Sequence, residues 1–129
     1  MSTIIEKVRS FNDFASLKAA PEADITKAEK QLALKFAAEY REYTATFGAV
    51  AANGHELTGV VVSKRLNVVS TTKTEWGNNP QVPRTMYVIE NAGIDGILVW
   101  QDESGAVYQS APNAKPKKVA ASLADYIEK

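Results

Sequence analysis

The sequence predicts an α+β domain, an antiparallel β-sheet with helices packed on one side of it. Apolar residues recur at helical spacing from Ile25 to Phe47 and stop at Gly48. After Pro83, three β-rich runs, TMYVIE, GILVWQ and GAVYQS, are joined by NAGID and DES, lengths that suit antiparallel hairpins. Close to the end, Ser122 and Asp125 have capping-box spacing ahead of Leu123, Tyr126 and Ile127, the inner face of a terminal helix. The 129 residues fit one domain, 1–129.

Each element has its own local reason. Thr3 and Glu6 are spaced as a capping box and Ile4, Val8 and Phe11 follow at helical intervals, which predicts a short amphipathic helix over 3–13. FASLKAAPEAD then reads as a connection, with Asp24 placed to cap the next helix. In that helix Ile25, Ala28, Leu32 and Phe36 share a face that runs on into Tyr40, Tyr43 and Phe47. With no Gly or Pro between 25 and 47, one long helix is allowed, and Gly48 is its C-cap. The aromatic stripe reads as a packing face with its phenol oxygens at the edge of the core. Asn53-Gly54 is a turn dipeptide, and Val60, Val61 and Val62 favour a strand. Val68, Val69, Thr72 and Trp76 fit one face of a helix over 66–76, ended by Gly77, Asn78, Asn79 and Pro80.

Composition narrows the function classes. With 45% hydrophobic and 23% charged residues the chain can bury a core and stay in solution. Fifteen basic side chains balance fifteen acidic ones, so global charge argues for neither nucleic-acid nor membrane binding, and an electrostatic partner site must be a local patch. The lack of cysteine removes disulfides, thiolate metal sites and thiol catalysis together. Glu6, Lys7 and Arg9 stand where a signal peptide would continue its apolar core, and no apolar run reaches spanning length. The expected location is the cytoplasm.

The chemical inventory is poor. His55, the one histidine, lacks companion ligands at metal spacing and reads as a surface loop residue. Ser63 and Ser70 have no evident base, and Gly93, Gly96 and Gly105 fall in hairpin turns and not between a strand and a helix. AKPKK, with Lys115, Lys117 and Lys118, reads as a solvated connection. Glu90, Asp95, Asp102 and Glu103 cluster near strand ends, where two could approach as acid and base or where all could stay solvated. No catalytic residue, metal or cofactor is expected.

ITKAEKQLALKFAAEYREYTATFG resembles a pattern of the SUKH superfamily, the domain shared by a yeast cell-wall-synthesis regulator and many bacterial immunity proteins. The matching positions are Ile25, Glu29, Leu32, Tyr40 and Gly48. PRTMYVIENAGIDGILVWQDESGAVY is similar to the family's strand, Gly-Asp-containing turn and strand, and with SLADYI the resemblance spans about 20 to 128. Where the family carries Leu-Pro this chain has Phe36-Ala37, so a helix break implied there must be made without proline. The resemblance implies a bacterial immunity protein that neutralises a cognate toxin, often a nuclease, by direct stoichiometric binding. Its alternative is a regulatory or scaffold domain docking on a cell-wall or signalling protein. The contact residues expected for a basic nuclease channel are Glu90, Asp95, Asp102 and Glu103, with an aromatic anchor from Trp76 or Trp100, or from Tyr87 or Tyr108. The oligomeric state is left open.

Overall fold

The computed structural model describes residues 3–129. In chain order its elements are α1 (Thr3–Arg9), β1 (Ala15–Ser16), α2 (Glu22–Leu32), α3 (Ala38–Phe47), β2 (Val50–Ala52), β3 (His55–Glu56), α4 (Val68–Asn78), β4 (Tyr87–Asn91), β5 (Leu98–Gln101), β6 (Val107–Ser110), β7 (Lys117–Ala120) and α5 (Leu123–Ile127). The strands form two antiparallel sheets, β1-β2-β3 and β4-β5-β6-β7, which confirms the α+β class.

The stretch 25–47 is two helices, and the chain breaks without proline. Ala33 takes a left-handed conformation, φ 54°, that ends α2, and Leu34 N–H folds back to Glu29 O at 3.2 Å. The Glu29 carboxylate then accepts from Phe36 N–H at 2.8 Å and pairs with Arg41, while Tyr87 Oη accepts from Ala37 N–H at 3.0 Å. Side chains from distant positions thus satisfy the backbone donors that a continued helix would have used itself.

The aromatic stripe answers to a packing role. Phe36, Tyr40, Tyr43 and Phe47 are all buried, and Phe36, Tyr40 and Tyr87 form a triangle with centroids 4.8–5.0 Å apart. The phenols are inside the core and not at its edge. Tyr43 Oη donates to Thr58 O at 2.7 Å and accepts from Val50 N–H at 3.0 Å, and Tyr40 Oη lies 2.9 Å from Thr58 Oγ1. At the end of α3, Gly48 caps with φ +73°, a region open to glycine, and a Cβ there would stand 2.0 Å from Lys18 O.

Register puts Tyr87, Gln101 and Val107 on the face that meets α3, and Val88, Trp100 and Tyr108 on the other. A bulge between Val88 and Glu90 turns Ile89 O to accept from Thr58 N–H at 2.8 Å, which ties β4 to the chain leaving β3. The same edge of β4 is closed by two threonines: Thr58 Oγ1 donates to Val88 O at 2.7 Å and Thr72 Oγ1 accepts from Val88 N–H at 2.9 Å.

Several expectations are corrected. Val60–Val62 is a bend and not a strand: Val60 N–H goes to Gly48 O at 3.2 Å and Val61 O accepts from the Asn67 side chain at 2.8 Å, so these backbone groups have partners outside any sheet. Lys117 and Lys118 lie in the edge strand β7, where charge keeps an open edge from pairing further. Ala15–Ser16 pairs with β2 inside what read as a connection. The first helix stops at Arg9, and α2 starts at Glu22, so Asp24 sits in its first turn and does not cap it. Helix α4 runs from 68 to 78, capped by Asn67 Oδ1 on Val69 and Ser70 N–H, with Val68, Thr72 and Trp76 inward as expected. Ser122 caps α5 through Asp125 N–H at 3.1 Å, as the spacing predicts.

Candidate partner-binding surface

The four acids proposed as contacts part company in the fold. Glu90 is buried, and its carboxylate accepts from His55 Nδ1 at 2.8 Å, from Glu56 N–H at 3.0 Å and from the Tyr126 hydroxyl. Burial, and then the Glu90 carboxylate beside it, push the Tyr126 phenol far above its ordinary pKa and keep it a donor. Glu90 therefore joins β3, β4 and α5. His55 belongs to this knot: it is half-buried on β3 with its ring 4.8 Å from that of Tyr126, not in a surface loop.

Asp95, Asp102 and Glu103 reach the surface, but not together. Asp95 precedes β5 and Asp102 follows it, so roughly 13 Å of strand separates the two hairpin ends at about 3.4 Å per residue. Asp102 Oδ1 accepts from Ser104 N–H at 3.0 Å and Oγ at 2.5 Å, which holds the β5–β6 turn with Glu103 at its exposed tip. This turn borders a cleft of about 630 Å³ whose other wall is Ala33, Leu34, Lys35 and Thr85. The cleft owes its shape to the α2–α3 break.

The indoles lie inside. Trp76 Nε1 donates to Met86 O at 3.0 Å under the Arg84 guanidinium, and Trp100, fully buried, donates to Ser110 Oγ at 2.9 Å. Tyr87 is also fully buried, which leaves Tyr108, half-buried, as the one of the four aromatics with surface to offer. Alternation along the strands does not decide this, since Trp100 and Tyr108 are cross-strand partners on one face of two interior strands; Trp100 is fully buried there and Tyr108 only in part.

A second interior network went unread in the sequence. Tyr87 Oη donates to Gln101 Oε1 at 2.7 Å, Gln101 Nε2 donates to Glu39 Oε1 at 2.7 Å, and the Glu39 carboxylate accepts from Leu123 and Ala124 N–H at 2.5 and 3.4 Å. Glu39 thus caps α5 from α3, 84 residues earlier in the chain. Burial pushes its carboxyl above the ordinary glutamate range against the pull of these donors. Its one sequence signal is a glutamate in the first turn of a helix, which by itself points to the dipole of its own helix. Among the described residues no three His, Asp or Glu side chains group as metal ligands, and no helix is long and apolar enough to cross a membrane.

The profile of the SUKH_5 family, described as SMI1-KNR4 cell-wall, matches residues 1–129. The chain belongs to the SUKH family. Its fold is shared with a crystal structure of a protein from Pseudomonas syringae pv. tomato, with a TM-score of 0.77 and 20% identity over 97% of this chain and 93% of that one. No curated protein matches it. The SUKH positions that carried the resemblance hold the scaffold: Ile25, Leu32 and Tyr40 are buried, Glu29 makes the helix break, and Gly48 passes Lys18 O where a side chain would clash.

Proposed function

We propose that this SUKH domain is a non-catalytic immunity protein that binds a cognate toxin domain, a nuclease, one to one in the cytoplasm and so neutralises it. The observation that carries this reading is the family match over residues 1–129. The division of the acids supports it: Glu29, Glu39 and Glu90 are committed to backbone and side-chain donors inside, while Asp95 and Glu103 are exposed and Asp102, which holds the turn through Ser104, is half-exposed. Exposed carboxylates meet the basic substrate channel of a nuclease as its phosphates do, and they speed encounter and oppose wrong partners. Asp102 and Glu103 beside the cleft form the first contact, with Asp95 a separate one.

The test is co-expression with the toxin domain encoded beside the gene, followed by calorimetric titration of the purified pair. A one-to-one complex that blocks the toxin is expected. Reversing Asp95, Asp102 and Glu103 to lysine then slows association and removes most of its salt dependence. Unchanged affinity of the triple variant at low and high salt rejects these acids as the site, and failure of the parent to bind rejects the immunity role. The cell-wall description of the matched family favours one second reading, a scaffold domain docking on a cell-wall or signalling protein. Recovery of such a protein by the parent, with no protection against the toxin, would establish it.

A further inference from the structure

Among the described residues three large apolar side chains stand in solvent: Leu17 at 48%, Val62 at 102% and Ile94 at 61% exposure. Two of them flank one groove. Leu17, from the β1–α2 connection, and Val62, from the surface bend, form the lips of a concavity of about 560 Å³ floored by Ala20, Ala28, Val60 and Val69. Its rim carries Lys18 and Lys27 and a single carboxylate, Asp24, none of them in an ion pair among the described residues. The groove is apolar with a net positive border.

The third side chain has the complementary chemistry. Ile94 and Asp95 stand side by side at the tip of the β4–β5 hairpin, both exposed. Ala92 N–H to Ile97 O at 3.2 Å and Ile97 N–H to Ile94 O at 3.0 Å close the turn. A hairpin tip held this way presents an apolar knob and a carboxylate without first being ordered, so little conformational entropy opposes its docking.

We propose that the groove receives the Ile94–Asp95 tip of a second copy of this chain, with Ile94 between Leu17 and Val62 and Asp95 toward Lys18 and Lys27. Groove and tip are different patches, so a single contact is heterologous and a pair closes only when both tips engage. A knob of this size belongs with small, transient interfaces, so association appears only at high protein concentration. It does not depend on the immunity reading.

Sedimentation velocity from micromolar to millimolar protein tests it. The parent shifts from monomer toward dimer, less so at high salt, because the rim charges are screened. Val62→Asp removes the groove and Ile94→Asp removes the tip; each variant alone stays monomeric, with an unchanged circular dichroism melt since both side chains are exposed. Mixing the two restores one tip-in-groove contact, because one chain keeps a sound tip and the other a sound groove, so the mixture associates beyond either variant alone and less than the parent. A parent that stays monomeric at millimolar concentration overturns the proposal, as does association that survives both substitutions, or a mixture no heavier than its parts. If residues 60–63 respond in amide spectra to added toxin but not to the protein's own concentration, the groove belongs to the toxin and the second copy is rejected.

Discussion

Replacing Tyr43 with Phe isolates the contribution of one buried hydroxyl, and Tyr40→Phe is its internal control. The Tyr43 hydroxyl serves two backbone groups at once, donating to Thr58 O at 2.7 Å and accepting from Val50 N–H at 3.0 Å, in a side chain with no exposure. Phe keeps the ring and its contacts but strands a carbonyl and an N–H where water does not reach them, and each such group costs roughly 1–3 kcal/mol. The expected loss is about 2–4 kcal/mol. Tyr40 serves one group, Thr58 Oγ1, which keeps its own bond to Val88 O when the phenol goes, so about 1 kcal/mol is expected. Urea unfolding followed by the fluorescence of Trp76 and Trp100 measures both, and the denaturant slope should match the parent in each case. For a chain of this size the difference corresponds to melting temperatures several degrees apart, at about 3–5 °C per kcal/mol. Equal losses in the two variants, or a larger one for Tyr40→Phe, would refute the reading that the Tyr43 hydroxyl joins α3 to β2 and to the chain leaving β3.

Glu90→Leu should destabilise by about 3 kcal/mol by stripping His55, Glu56 N–H and Tyr126 of their shared acceptor, whereas Glu103→Leu should change stability by under about 0.5 kcal/mol; the same urea titration checks both. Glu39 has a raised folded pKa, so the folded state holds its proton more tightly than the unfolded chain and stability falls as pH rises through the interval between the unfolded and the folded value. Glu39→Gln should flatten the stability profile just above the ordinary glutamate range relative to the parent, and a variant profile parallel to the parent's there would reject the shift. Gly59→Ala should abolish folding by circular dichroism, since its Cβ would lie 1.7 Å from Gly48 O, while Gly77→Ala, with nothing within 4 Å on helix α4, should stabilise by about 0.5–1 kcal/mol.

The legible parts of this protein are those whose cause lies within a few residues. The meander from Tyr87 to Ser110 was readable because short connectors and β-rich runs leave one way to pair, and the Ser122 cap because hydroxyl and amide sit three residues apart. Helix α4 was readable from Val68, Thr72 and Trp76, which repeat every four residues on the inner face. The edge strand β7 was not, because lysines that protect an edge look the same as lysines in a loop until a neighbour is known.

By itself the sequence determined the class of the fold, the inward direction of the stripe from Phe36 to Phe47 and the resemblance that the family match bears out. Only the tertiary structure decided which acids are fittings and which face solvent. Nothing in the side chains of Glu29, Glu39 and Glu90 sets them apart from Glu103, since all four are the same carboxylate. Their difference lies in donors brought from 7, 84 and 34 positions away. A carboxylate stays buried only where such donors converge, because its desolvation must be offset by hydrogen bonds, and convergence over that distance is a property of the folded chain. The same holds for Val62 and Ile94, whose side chains favour burial and are exposed here because the folded chain sets one on a bend and the other at a hairpin tip.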